Sequence, residues 1–580
     1  MSAPVVTEIV RNGLVAAAEE MKTNLMRTAY NRIIYEGLDF TVGLFTANGD
    51  AMSIGIGLPM FVRGLSDTVK RMLNHYRKDG IDPGDVLVTN DCRVTGSHLN
   101  HVTLVLPIFA ESRLVAFAAA MGHWIDIGGV LDGVTKDIYS EGLQIPILKA
   151  ERKGVVNQDL LEIIHLNVRH PERAIGDWRA EMTAVRTGER RFLELVNRYG
   201  RDAVLGAVDR IMKQSEEAAR AATLTIPDGV YTAESFMDSD GVTFDKRVRI
   251  AVKVIVEGDQ MTIDLSGVSP AVDGFYNSGA STGIGCAELA FKCLTSAEDF
   301  PINQGSFRPL KVILPEGTVV SAAHPAPMRW WMTYPMTIVD TVFKALSKAI
   351  PQRVIAGHHA DLNVVMMNWL QDGVRQVSHV STSGGWGAKH NQDGMCNTVC
   401  INDGDTHRAP IEQIECKNPL LIERWELAAD SGGAGRQRGG LGTVQVVQLL
   451  RDQAVNVQIE RHIDPPWGLD GGLPGSANSV SLRRNGRVEE AGADDQPKLL
   501  GVQLLAGDAL ILQSGGGGGF GSPLERPLDA VAEDLRNGYI TAAEAQENYG
   551  VALDDSGQVD KGATESLRRR RARAFMAATA

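Results

Sequence analysis

The chain has 580 residues, 44% hydrophobic and 22% charged, the balance of an ordinary globular protein long enough for three or four domains. Its net charge of −13 argues against a nucleic-acid binder, because neutralising a phosphate backbone takes clustered Lys and Arg. No apolar run reaches the roughly 18 residues of a membrane span, and "MSAPVVTEIVRNGLVAAAEEMKTNLM" reads as a charged amphipathic helix rather than a signal segment, so no membrane association and a cytoplasmic location are expected.

Residues 1–222 alternate helices with strand pairs and read as an N-terminal α/β domain. Asp39 opens a strand over Phe40 to Phe45 that turns at Asn48-Gly49, a strong hairpin signal. A longer pair follows: His101 to Ala110 is rich in β-branched and apolar residues, Glu111-Ser112-Arg113 breaks the pattern, and Leu114 to Met121 resumes it. Counting outward from a tight turn near Ser112 brings His101 opposite His123, give or take one residue. Opposed Cβ atoms lie about 4.5–5.5 Å apart, close enough for both imidazoles to bind one ion. His98 precedes the strand by three residues, and Gly96 lets the chain bend back toward the same end. Histidine is uncommon here, 13 in the whole chain, so three at one strand end point to a metal site, although each taken singly also suits a polar strand end. A carboxylate usually completes such a set. Asp39, Asp91 in "VTNDCRVTGSH" and Asp126 in "GHWIDIGG" are the nearest candidates.

Asp177 to Thr223 predicts two or three helices broken near Gly200. A middle α/β domain is read over 223–420. It opens on strands, with a hairpin at Glu257-Gly258-Asp259 inside "RVRIAVKVIVEGDQMTIDLSG". Residues 421–526 turn β-rich and glycine-rich, and 527–580 read as a helical tail with a capping box at Thr541 and Glu544. The glycine runs "SGGAGRQRGGLG" and "SGGGGGFG" are neither GxxxxGK[ST] nor a strand-to-helix GxGxxG. They are expected to serve tight turns or close backbone approach at a subunit surface, so any ATP should be held by another chain. Cys92, Cys286, Cys293, Cys396, Cys400 and Cys416 form no CxxC pair and read as free thiols, with Cys396 and Cys400 spaced to share a helix face. The basic run "LRRRRARAF" reads as a helix end or a subunit contact.

Taken together, "LDFTVGLFTANGD", "VTNDCRVTGSHLNHVTLVLPIF", "GHWIDIGG", "IYSEGLQIPILK", "NVRHPERAIGDWRAE", "DSGGAGRQRGGLG", "PPWGLDGGLPG" and "GGGGGFGSPLERPLDAVAEDLRNGYIT" resemble the hydantoinase B/oxoprolinase family, in family order across nearly the whole chain. The resemblance implies a multi-domain mixed α/β (α+β) fold. It also implies one divalent metal and a hydantoinase A-type partner that binds ATP, in an (αβ)2 heterotetramer. The family's metal motif falls on Asp39, His98 and His123. Where the family usually carries Asp, three residues after the first histidine, this sequence has His101. Three imidazoles and one carboxylate favour Zn²⁺, with Mn²⁺ or Fe²⁺ as alternatives; if His101 is not a ligand, Asp126 or Asp91 completes the set.

The activity that the resemblance implies is ATP-dependent opening of a hydantoin or lactam ring. The partner phosphorylates the amide oxygen, and water made acidic by the metal attacks the activated carbonyl. Asp126 is expected to orient a ligand or handle a proton, and Glu141 in "IYSEGLQIP" is a second catalytic candidate. Two other readings stand beside this one: the corresponding subunit of an ATP-dependent ketone carboxylase, and a non-catalytic scaffold for its partner.

Overall fold

The computed structural model describes residues 3–61, 63–77, 80–295, 302–404, 406–491 and 498–579, and within the last helix it describes side chains only to Arg571. The N-terminal part is built on a seven-stranded antiparallel sheet. Its strands are β1 (Phe40–Thr46), β2 (Ala51–Ile56), β3 (Val86–Thr89), β4 (His101–Ala110), β5 (Arg113–His123), β6 (Leu148–Arg152) and β7 (Val155–Val156), in the order β2-β1-β5-β4-β3-β6-β7. β4 and β5 are apolar along nearly their whole length because both faces are buried, rather than one. Helices Ala3–Thr28 and Pro171–Tyr199 cover one face, and helix Gly64–His75 also contacts β1 and β5. The alanines of β5 let the long helix come close: a Cβ on Gly188 would lie 2.9 Å from that of Ala118.

The β4–β5 turn places Glu111 at φ 51° and Ser112 at φ 62°, two successive left-handed residues, as a two-residue hairpin of this twist requires. That turn sets the register, which pairs His101 with His123 as the sequence count expects. The break near Gly200 is also where helix Pro171–Tyr199 gives way to helix Arg201–Thr223.

A second sheet holds β8 (Gly229–Met237), β9 (Val248–Glu257), β10 (Gln260–Asp264) and β11 (Leu310–Ile313), in the order β11-β10-β9-β8. Helices Ala280–Thr295 and Thr333–Leu346 share its core. A third sheet joins β12 (Val364–Gln371) and β13 (Val374–Ser381) to strands Gln453–Gln458 and Lys498–Leu504, so segments on the two sides of residue 421 interlock. It shares a hydrophobic core with a fourth sheet of five strands between Leu420 and Gln513. Three helices between Leu528 and Thr579 follow, and the Thr541 hydroxyl caps the second by accepting the Glu544 N–H at 3.2 Å. Among the described residues, no helix is long and apolar enough to cross a membrane.

The glycine runs pack against one another as extended backbone. Gly517, Gly518 and Gly519 donate to the carbonyls of Gly440, Gly357 and Leu473 at 2.8–2.9 Å, and their own carbonyls accept from Gly433, Ala388 and Leu469 at 2.8–2.9 Å. A Cβ on Gly517 would sit 1.9 Å from the Trp386 carbonyl oxygen. Close backbone approach is thus the reason for the glycines; the site of that approach is buried within the chain, not at its surface. With their N–H groups already bonded, these residues offer no cradle to a phosphate. Cys396 and Cys400 lie outside any helix, in a stretch of bends and isolated bridges that packs against the same glycines, so they do not share the helix face expected of their spacing. In the basic run, Arg568 donates to the Tyr549 and Arg526 carbonyls and Arg571 to that of Glu547, fastening the last helix to the body. The side chains of 572–575 in that run lie outside the described residues.

Candidate metal centre

Three strand ends build the site. Phe40 pairs with Gly122, and the Asp39 carbonyl accepts the His123 N–H at 3.1 Å, so β1 sets Asp39 beside the end of β5. β4 begins at His101, directly across from His123. His98 follows a helical turn, Cys92–Thr95, closed by Gly96 at φ 80°; a Cβ there would approach Ser281 to 2.8 Å, so the bend requires glycine. The ring centroid of His98 lies 4.4 Å from that of His101 and 4.8 Å from that of His123. One ligand nitrogen from each of the three lies within 4.8 Å of the others.

Each ring is held by its surroundings. His98 Nδ1 donates to the Arg329 carbonyl at 3.1 Å, which leaves the lone pair on Nε2; that atom is buried and has no partner. His101 is completely buried, with Nδ1 2.9 Å from the Ser97 hydroxyl and Nε2 3.1 Å from Asp39 Oδ1. His123 Nδ1 is buried and unpartnered, while the Asn31 amide holds the His123 carbonyl at 2.6 Å. Behind them, Trp124 Nε1 donates to Glu181 at 3.0 Å, and Asp177 accepts the N–H groups of Tyr30 at 2.7 Å and Asn31 at 3.2 Å. The "GDWRAE" segment thereby fixes two of the loops that carry the site.

Electrostatics put His98, His123 and Asp39 in the ligand form. Burial, and after it the neighbouring imidazoles, holds His98 well below its ordinary pKa; burial brings His123 down to about 4. Both are neutral at pH 7, as metal ligation requires. For Asp39 burial acts upward, but His101, His123 and His379 together more than offset it and keep the carboxyl below its ordinary range.

This donor set fits a divalent ion. Ligand atoms about 2.0–2.1 Å from one zinc lie roughly 3 Å from each other, and Asp39 Oδ1 and His101 Nε2 are separated by 3.1 Å. The two buried nitrogens without partners are the kind of unsatisfied group that an ion satisfies.

The other sequence candidates sit nearby but are engaged. Asp126 accepts from the Arg169 guanidinium at 2.6 Å and from its backbone N–H at 2.5 Å. Asp91 caps the Cys92–Thr95 turn and pairs with Arg93 at 2.5 Å. Glu141 Oε1 accepts the Thr135 hydroxyl at 2.7 Å and the N–H groups of Met328 and Arg329 at 2.9 and 3.0 Å. Glu141 therefore clamps the backbone at Met328 and Arg329, next to the Arg329 carbonyl that orients His98. Burial pushes its carboxyl up to about 7 against the pull of those hydrogen bonds.

Arg32, Arg329, His379 and Arg408 line the same cleft and were not singled out from the sequence. They come from four separate segments, and only the folded chain brings them to Asp39. The Ser97 hydroxyl on His101 was likewise missed, although its place in "GSH" was the one local signal available.

The family model for hydantoinase B/oxoprolinase matches residues 3–523. The chain belongs to the hydantoinase B/oxoprolinase family. A protein assigned as the B-type subunit of a D-/L-hydantoinase from Pseudomonas sp. (strain NS671) is 32% identical, with 98% of each chain covered. The beta chain of the caprolactamase of Pseudomonas jessenii is 31% identical over 97% of this chain and 99% of its own. The crystal structure of the ATP-dependent caprolactamase from that organism superposes with a TM-score of 0.89 at 28% identity, covering 98% of this chain and 99% of the other. A nucleotide-free acetone carboxylase structure has a TM-score of 0.88 at 20% identity, over 99% of this chain and 83% of its own, and it bears on the fold alone.

Proposed function

We propose that this hydantoinase B-family chain is the metal-bearing subunit of an ATP-dependent cyclic amidase that opens hydantoin or lactam rings. The reading rests on one observation above the others: His98, His101 and His123 converge, with Asp39 3.1 Å from His101, at the wall of a cleft, and His98 Nε2 and His123 Nδ1 have no protein partner. The names of the hydantoinase and caprolactamase relatives support the substrate class proposed.

Asp39 supplies the negative charge of the site, and the Arg329 carbonyl and Ser97 hydroxyl aim His98 and His101. A divalent ion held by these four residues, zinc by its preference for imidazole, would supply Lewis acidity for polarising a carbonyl or acidifying water. Glu141 and Asp126 hold the surrounding loops: Glu141 the 328–329 peptide, Asp126 the segment at Arg169. The glycine segments have spent their N–H groups on backbone, so ATP is assigned to a hydantoinase A-type partner, in an (αβ)2 assembly in the cytoplasm.

The test is coexpression with such a partner and assay of hydantoin and caprolactam with and without ATP. Ring opening that needs both chains and ATP is expected, with no ATP turnover by this chain alone. Robust ATP hydrolysis by the isolated chain, or carboxylation of acetone in place of ring opening by the pair, contradicts the proposal.

A further inference from the structure

The cleft that His98 and His123 line is also lined by three arginines, Arg32, Arg329 and Arg408, and their pairing differs from that of Arg169, which lies outside that lining. Arg169 is neutralised by Asp126 at 2.6 Å. Arg32, Arg329 and Arg408 form no ion pair within 4.0 Å of a carboxylate among the described residues. Their partners are neutral. Arg32 Nη2 donates to the His379 carbonyl at 2.5 Å. Arg408 donates to the hydroxyls of Ser381 and Ser383 and to the Thr382 carbonyl. Arg329 Nη2 donates to the Leu131 carbonyl at 2.5 Å, while its Nη1 is shielded from solvent and has no partner at all.

Taking a guanidinium out of water without an anion is costly, and burial lowers the pKa of all three. The carboxyls in the surroundings do little to compensate. Asp403, beside Arg408, and Glu141, beside Arg329, are each raised by burial to about 7, so burial weakens the negative charge either can offer at neutral pH. Glu36 near Arg32 and Asp132 near Arg329 act only at longer range, and Asp132 is bonded to the Asn368 amide. Three fixed forks of N–H donors, short of negative charge, suit a planar or tetrahedral oxyanion.

We propose that the substrate carries an oxyanion, a phosphate or a carboxylate, which Arg32, Arg329 and Arg408 grip in the cleft that Asp39, His98 and His123 also line. This rests on the cleft being the substrate site of the function proposed above. The oxyanion has two possible sources: a phosphoryl group placed on the ring during activation, or a carboxylate that the substrate bears itself.

Titration calorimetry on the full chain separates them, using inorganic phosphate, 2-pyrrolidinone and the 5-carboxylate of 2-pyrrolidinone. At least one oxyanion should bind about tenfold or more tightly than the neutral lactam, the scale of a charge-assisted hydrogen bond. Arg329→Met and Arg32→Met should each remove that advantage while keeping the wild-type melting profile. Preference for phosphate assigns the grip to a phosphoryl group; preference for the carboxylate lactam assigns it to the substrate's own acid. Oxyanions that bind no better than 2-pyrrolidinone to the wild-type chain, or equally well to both variants, overturn the proposal. Because no turnover is needed, a failed ring-opening assay beside arginine-dependent oxyanion binding would instead remove the amidase reading and leave the recess standing.

Discussion

Glu141 offers the sharpest separation of a positioning role from a catalytic one. Glu141→Ala deprives three buried donors, the Met328 and Arg329 N–H groups and the Thr135 hydroxyl, of their acceptor. At about 1–3 kcal/mol for each unsatisfied donor, the loss is at least about 3 kcal/mol. The backbone next to the carbonyl that orients His98 is also released, so bound metal should fall with stability. Glu141→Gln is different, because all three donors are received by the one oxygen, Oε1, and only a 3.1 Å contact from Met328 reaches the other. An amide placing its oxygen at that position keeps the clamp. Its neutrality costs little, since burial already lifts the acid to about 7. The glutamine variant should lie within about 1 kcal/mol of wild type and keep its metal and its activity with the partner. Denaturant midpoints, metal content and ring-opening rate on both variants are the assay. If Glu141→Gln stays folded and metal-loaded yet loses about a hundredfold or more in rate, the scale of general acid–base catalysis, Glu141 handles a proton and the positioning account is wrong.

Other substitutions probe the rest of the structure. Gly517→Ala drives a Cβ to 1.9 Å from the Trp386 carbonyl and should leave the chain insoluble or with a much lower melting temperature, whereas Gly206→Ala, in a helix with the Arg210 side chain 3.5 Å away, should stabilise by about 0.5–1 kcal/mol. Equal melting temperatures for the two would refute the packed-glycine account. Burial raises the Glu181 carboxyl well above its ordinary value of 4.5, so the stability this group contributes is full below that value and declines as pH rises toward the folded pKa. Glu181→Gln should flatten that decline in melting curves taken from acid to alkaline pH; an unchanged profile means that Glu181 is not the group responsible. His101→Ala should lose most of the bound metal and His101→Asp should retain it, because a carboxylate can ligate from the same position. Undiminished affinity in the alanine variant would place His101 outside the ligand set.

Local signals carried much of the site. The break at Glu111-Ser112 and the apolar runs on either side of it were enough to place His101 across from His123, because a two-residue turn leaves a hairpin little freedom of register. Asn48-Gly49 likewise marked the hairpin that joins β1 to β2, though not its register, which shifts between Leu44 and Phe45. The arginines and His379 were invisible for the opposite reason: Arg32 meets β13 across more than three hundred residues, and nothing in its own neighbourhood marks it. Glu141 was legible as a candidate but its hydrogen-bond partners were not, since its three donors include a peptide 187 residues away. Close backbone approach is legible in the glycine runs themselves, yet their burial depends on five chain segments meeting, at 357, 388, 433–440, 469–473 and 517–519, which no single run reveals.

The central claim, a divalent ion held by Asp39 and three histidines, is tested most directly by elemental analysis of the purified chain beside its Asp39→Ala, His98→Ala and His123→Ala variants. The account predicts about one divalent ion per wild-type chain, and its loss from each variant together with a lower melting temperature, since an ion that binds only the folded form stabilises it. A wild-type chain that holds no divalent ion after zinc reconstitution, or three variants that all retain a stoichiometric ion, would contradict it.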